Sequence, residues 1–132
     1  MKPTIALLIA GIICASVAHA GDVAVKAIMT TAPGDDPVTT FPPDMPKIYA
    51  IFQTKGAKEG DKVRGVWIAA EVGDAAPKET KIYEKTVTAS GDTDDGEFSL
   101  SKPTAGWPMG KYRFEIYVND KLATSVKFII KE

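Results

Sequence analysis

The sequence predicts an all-β protein: a sandwich of two antiparallel sheets built from about seven short strands. Three observations predict it. Apolar residues recur with period two in one segment after another, the mark of half-buried strands. Clusters of Gly, Pro, Asp and Ser punctuate these segments and read as turns. No segment shows a convincing helical period. A small closed barrel is the alternative arrangement of the same strands.

The chain opens on MKPTIALLIAGIICASVAHA, in which Lys2 is the only charge. Ile5 to Ile13 is an apolar run broken only by Gly11, and Ala18-His19-Ala20 is a small-x-small cleavage site. This pattern is a secretory signal peptide spanning residues 1–20. The run is too short for a membrane anchor, which needs roughly 20 apolar residues. Cys14 raises the question of lipidation, which would tether a mature chain beginning at that cysteine. A lipidation site wants a small residue before the cysteine, and Ile13 stands there. Cleavage after Ala20 is the better reading, and it leaves residues 21–132 as a single domain in the periplasm or outside the cell.

The whole chain carries 16 basic and 17 acidic residues. Removal of Lys2 with the leader leaves 15 against 17, a net charge of −2. Such a balance offers no basic face for nucleic acid and no polybasic membrane patch. The only cysteine and the only histidine, Cys14 and His19, both lie in the leader. The mature domain is therefore no disulfide scaffold and must stand on its hydrophobic core. The same loss removes thiol chemistry, histidine general-base catalysis and every His/Cys metal site.

Strand by strand, Asp22 to Met29 alternates Val23, Val25, Ala27 and Met29 against polar or small residues. TTAPGDDPVTT, residues 30–40, is a loop with turn signals at Pro33-Gly34 and Asp36-Pro37. The prolines of Phe41-Pro42-Pro43-Asp44-Met45-Pro46 predict an extended, polyproline-like path at a sheet edge or between strands. Lys47 to Thr54 is a strand with Ile48, Ala50 and Phe52 on one face. Lys62 to Val72 is a strand centred on Trp67; Val63, Gly65, Trp67 and Ala69 share a face, and Gly65 leaves room beside the indole. Lys81 to Ala89 is more polar and belongs near an edge.

Ser90 to Gly96 reads as a tight acidic turn, and Glu97 to Ser101 as a short strand with Phe98 and Leu100 inward. After a turn at Lys102 to Trp107, the residues Tyr112, Phe114, Ile116 and Val118 alternate with Arg113, Glu115, Tyr117 and Asn119. Asn119-Asp120 tolerates the left-handed angles of a type I′ hairpin turn. Leu122 to Lys131 then closes the hairpin, with Val126, Phe128 and Ile130 inward.

Phe41-Pro42-Pro43-Asp44 leading into Ile48-Tyr49, a strand with Trp67, Gly106-Trp107-Pro108 and the run from Gly110 to Tyr117 together resemble small Ig-like β-sandwich modules of bacterial secreted and envelope proteins. The resemblance covers nearly all of the mature chain. It implies an immunoglobulin-like sandwich and a bacterial exported origin, and it brings no functional residues with it.

The candidate sites are few. Asp92, Asp94, Asp95 and Glu97 form the densest carboxylate cluster and the one weak calcium candidate. Counted from Asp92, the fifth residue is Gly96 and the twelfth is Pro103, so the EF-hand pattern fails, and a solvated turn explains the cluster more simply. Trp107 is either an exposed aromatic platform for a ligand or a plug over one end of the sandwich, and its Gly and Pro neighbours favour the plug. Tyr49, Tyr83 and Tyr117 fall opposite the best inward residues and are binding candidates if they gather on one sheet. No Ser-x-x-Lys motif is present, and no cofactor is implied.

These features point to an exported, non-enzymatic module that acts in protein–protein binding or as a structural or accessory element of the bacterial envelope, its partner another exported or envelope protein. The Thr31–Pro46 segment and exposed sheet edges are its expected contact surfaces. Two further readings remain: a binder of carbohydrate or calcium, and an inhibitor or chaperone-like protein that presents the 30–40 loop.

Overall fold

The computed structural model describes residues 23–132. The expected leader, with Cys14 and His19, lies outside the described residues. Eight strands follow in chain order: β1 (Ala24–Thr30), β2 (Thr40–Phe41), β3 (Lys47–Lys55), β4 (Lys62–Glu71), β5 (Thr80–Thr88), β6 (Thr93–Ser101), β7 (Gly110–Val118) and β8 (Lys121–Ile130). A short 3-10 turn at Gly73–Ala75 lies between β4 and β5. The strands form two sheets, of order β1-β3-β6 and β2-β8-β7-β4-β5. Every pairing is antiparallel except that of β2 with β8. The arrangement is a sandwich, not a closed barrel.

Alternation places the core. Tyr112, Phe114, Ile116 and Val118 of β7 are buried, as are Phe128 and Ile130 of β8 and Val63, Trp67 and Ala69 of β4. From the other sheet, Ile48, Ala50 and Phe52 of β3 and Phe98 of β6 face them. The rings interlock: Trp67 lies 4.7 Å from Phe114, Phe114 lies 5.5 Å from Phe98, and Phe98 stacks on Phe52 at 5.2 Å. Aromatic pairs at such separations add to the burial energy. The hairpin between β7 and β8 turns at Asn119 and Asp120, both with positive φ (49° and 69°), as a type I′ turn requires.

Three expectations are corrected. The room beside Gly65 is taken by Phe114 and Phe98: a Cβ there would stand 2.8 Å from one ring and 3.0 Å from the other. The prolines of 42–46 do not keep one extended path. Phe41 is fully buried in β2, and the chain then turns, with the Met45 N–H donating to the Pro42 carbonyl at 3.1 Å. The acidic turn is shorter than expected, because β6 begins at Thr93. It pairs with β3 without interruption from Lys55↔Thr93 to Lys47↔Ser101. Gly96, read as the end of a turn, is a mid-strand residue lying under the Phe52 ring, where a Cβ would come within 2.5 Å.

Candidate functional site

The sheets are unequal, and their offset creates the site. Phe98 of β6 lies over Gly65 of β4, so the edge of the smaller sheet stands above the last strand but one of the larger. β5 is the next strand beyond β4, and among the described residues no strand of the smaller sheet is set over it. It is the outer edge of the five-stranded sheet, and none of its nine residues is buried; all but Thr80 and Val87 are exposed. A central strand buries residues of one face or both; β5 buries none, and only Val87 packs partly against the core. Ile82 is 39% and Tyr83 46% exposed.

Register fixes where these side chains stand. Gly65 pairs with Lys85 and Trp67 with Tyr83, so Tyr83, Lys85 and Val87 lie on the sheet's inner side, level with the core. The sequence placed Tyr83 on the outer face. Alternation back from Val87 through Lys85 reaches Tyr83 in unbroken register, and the ladder shifts only beyond it, between Trp67 and Ile68, where Ile82 is the extra residue on β5. The flank is thus a step, with the inner face of β5 below and the free edge of β6 above. The short link from Ala89 to Asp92 closes one end of it. There Ala89 donates to the Asp61 carbonyl at 2.8 Å, and Ala57 donates to the Asp92 carbonyl at 3.1 Å.

The structure does not bring the other candidate aromatics together. Tyr49 is half-buried on the outer face of the three-stranded sheet, with the Lys47 ammonium 5.8 Å from its ring centre. Tyr117 stands on the outer face of the five-stranded sheet. Its hydroxyl donates to Glu115 at 2.9 Å and its ring carries the Arg64 guanidinium at 4.4 Å. The hydroxyl is held above its ordinary pKa, chiefly by that bond to Glu115. Trp107 is buried, as a plug must be. Its indole N–H donates to the Met45 carbonyl at 2.8 Å, and its backbone N–H donates to the Pro43 carbonyl at 2.9 Å. It packs edge-on against Tyr112, whose hydroxyl donates to the Pro108 carbonyl.

Nor do the acidic residues converge. Asp94 turns back to accept from the Ser90 N–H at 2.9 Å and the Ser90 hydroxyl at 2.7 Å, which lowers its pKa. Asp95 and Glu97 point out from the opposite face of β6, paired across with Gln53 and Ile51. Among the described residues no group of three or more acidic side chains is placed to hold a metal ion. The 30–40 loop is strapped to its own stem. The Thr30 hydroxyl lies 3.1 Å from the carbonyls of Ala32 and Asp36, and the Val38 N–H donates to Met29 at 2.8 Å.

No local pattern announces the charged lattice that lies over the outer face of the five-stranded sheet. Arg113 is gripped by Glu79, which adopts a positive φ of 61°, and by Glu115 at 2.8 Å. Arg64 reaches Glu84 at 3.3 Å, and Lys81 reaches the same carboxylate at 3.1 Å. The side-chain stems bury Val66 and Ile68 on a face where the pattern alone expects exposure. These charges satisfy one another, so the lattice is a cover for that face. A polar cleft of about 350 Å³ at the hairpin end, lined by Lys58, Asp61 and Asn119, is likewise tied internally. Asn119 donates to Asp61 at 3.0 Å and accepts from the Lys62 N–H at 2.9 Å.

No family model and no curated protein matches the sequence. Solved structures match its shape. An immunoglobulin-like protein from Pseudomonas aeruginosa superposes with a TM-score of 0.53 at 16% identity, over 83% of this chain and 97% of that one. An alkylpurine DNA glycosylase from Pseudomonas fluorescens gives 0.57 at 14% identity, over 83% of this chain and 30% of that one. A β-glucosidase from Listeria innocua gives 0.56 at 8%, over 84% and 16%. The chain spans under a third of both enzymes and nearly all of the immunoglobulin-like protein. At these identities the likeness shows the fold: an Ig-like two-sheet β-sandwich. Among the described residues no helix is long and apolar enough to cross a membrane.

Proposed function

We propose that the protein is an exported, non-enzymatic Ig-like module of the bacterial envelope, which binds another exported or envelope protein at the open flank between β5 and β6. The observation that carries the reading is β5 itself, a nine-residue edge strand with no buried residue, which leaves Ile82 and Tyr83 exposed. A free sheet edge exposes unpaired backbone groups, which proteins either guard or use for recognition. Exposed aromatics are enriched where proteins meet. The leader sequence supports action in the periplasm or outside the cell. The absence of His and Cys from residues 21–132 supports a role without catalysis. Scattered aromatics and unconverged carboxylates fit a carbohydrate or calcium binder less well.

The test is capture by the tagged full chain from the envelope of the cell that makes it. Tyr83→Lys should lose the captured protein, and Lys127→Glu, exposed on the far face, should keep it. Capture indifferent to Tyr83, or none at any concentration, would count against the reading.

A further inference from the structure

We infer that the flank takes one added strand: an extended segment of the partner, alternating lysine or arginine with apolar residues, paired along the free edge of β6 and lying over the inner face of β5. The inference rests on the binding reading above and names the partner's chemistry.

Position comes first. β6 ends the three-stranded sheet above β4, and β5 lies one strand further out in the other sheet. Neighbouring strands are spaced about 4.8 Å apart and stacked sheets about 10 Å. A fourth strand beside β6 therefore comes to lie opposite β5. One of its faces would be buried against Tyr83 and Val87, while Lys85 between them extends along the flank to water. A strand added to β5's own outer edge would keep both faces in solvent. Burial selects β6.

The edge is ready for pairing. β6 runs nine residues in unbroken register with β3. In an antiparallel ladder every second residue turns its N–H and C=O away from the neighbour it pairs with. Among the described residues no loop donates to or accepts from the backbone of Thr93–Ser101.

Charge then selects the occupant. Asp95 and Glu97 stand exposed two residues apart on the outer face of β6. Their cross-strand neighbours on β3 are Gln53 and Ile51, and neither acid joins an ion pair among the described residues. Basic residues on an added strand would stand directly across from both, and opposite charges across a ladder attract. The same two acids oppose a second copy of this chain. Self-pairing centred on Gly96 sets Asp95 against Glu97, and self-pairing centred on Glu97 sets that carboxylate against itself.

Two short peptides test this on the full chain, one alternating valine with lysine and one alternating valine with glutamate. The lysine peptide should bind more tightly and slow amide exchange within residues 93–101. The double reversal Asp95→Lys/Glu97→Lys should invert the preference, a swing of about tenfold for two cross-strand pairs. If the double variant melts early, Glu97→Gln alone should narrow the preference about twofold to threefold. Equal affinity for both peptides, no binding, protection outside β5 and β6, or a dimer of the chain paired through β6 would each overturn the inference. Partner capture that depends on Tyr83 but not on Asp95 and Glu97 would refute the added strand and keep the binding reading. Peptide binding without any partner capture would refute the reading instead.

Discussion

Gly65→Ala probes the seating of β6 on β4 that leaves β5 uncovered. The added Cβ would stand 2.8 Å from Cζ of Phe114 and 3.0 Å from Cδ2 and Cε2 of Phe98. Carbon atoms prefer about 3.5–4.0 Å, so a ring must move. Phe114 cannot retreat freely, because it is fully buried and held 4.7 Å from Trp67. Phe98 is held against Phe52. Overpacking of this kind costs about 1–3 kcal/mol. Gly65 does not have a positive φ, so alanine also restricts the unfolded chain, a gain of about 0.4–1 kcal/mol. The expected net effect is a destabilisation of about 1–2 kcal/mol, read by urea unfolding followed through tryptophan fluorescence. In a Phe114→Leu background the crowding ring atom is gone, so the same substitution should cost less, with a coupling of at least about 0.5 kcal/mol. A neutral or stabilising Gly65→Ala, or strict additivity with Phe114→Leu, would mean that the rings do not close over position 65 and that β6 sits elsewhere.

Other consequences can be checked by the same unfolding assay. Trp107→Ala should destabilise by about 3–5 kcal/mol, since it empties a buried site and strands the Met45 carbonyl. Asn119→Gly keeps the turn but loses the bonds to Asp61 and Lys62, for about 1–2 kcal/mol; Asn119→Ala should lose about 1 kcal/mol more at its φ of 49°. Four carboxyls are held below their ordinary pKa: Asp61 and Asp94 by hydrogen bonds to Asn119 and Ser90, Glu79 and Glu84 by hydrogen bonds to Arg113 and Lys81. Depressed folded values contribute stability above the usual carboxylate range and lose it as pH falls through them. Urea midpoints should therefore hold from neutrality to about pH 5 and decline below about pH 4. At the alkaline end burial pushes Tyr112 up to about 12, so its contribution is intact below pH 10, its ordinary value, and is lost as pH climbs towards 12.

Local pattern made most of the frame legible. Period two in Tyr112–Val118 named the buried face of β7, and Asn119-Asp120 named its hairpin turn. Trp67 was placed in the core by its position mid-strand, and the polarity of 81–89 placed β5 near an edge. What stayed hidden depends on relations between distant segments. Asp94-Asp95-Gly96 looks like a turn, yet pairing with Gln53 and Thr54 draws it into β6. Gly65 looks like space for its own strand's tryptophan, yet rings from β6 and β7 claim that space. Tyr83 shares the inner side with Val87 by plain alternation, which shows only once Val87 is seen to pack against the core. The flank itself comes from the offset of one sheet over another, which no single segment encodes. The tyrosines are legible as amphipathic residues, but which of them is free depends on neighbours such as Arg64 across the ladder and Glu115 two residues along β7.

Hydrogen exchange on the protein with its captured partner bound tests the central claim most directly. Protection on binding should be confined to residues 80–88 and 93–101, the two strands that border the flank. Protection that instead falls on the 30–40 loop, or on the outer face of the five-stranded sheet around Arg64 and Arg113, would contradict the account.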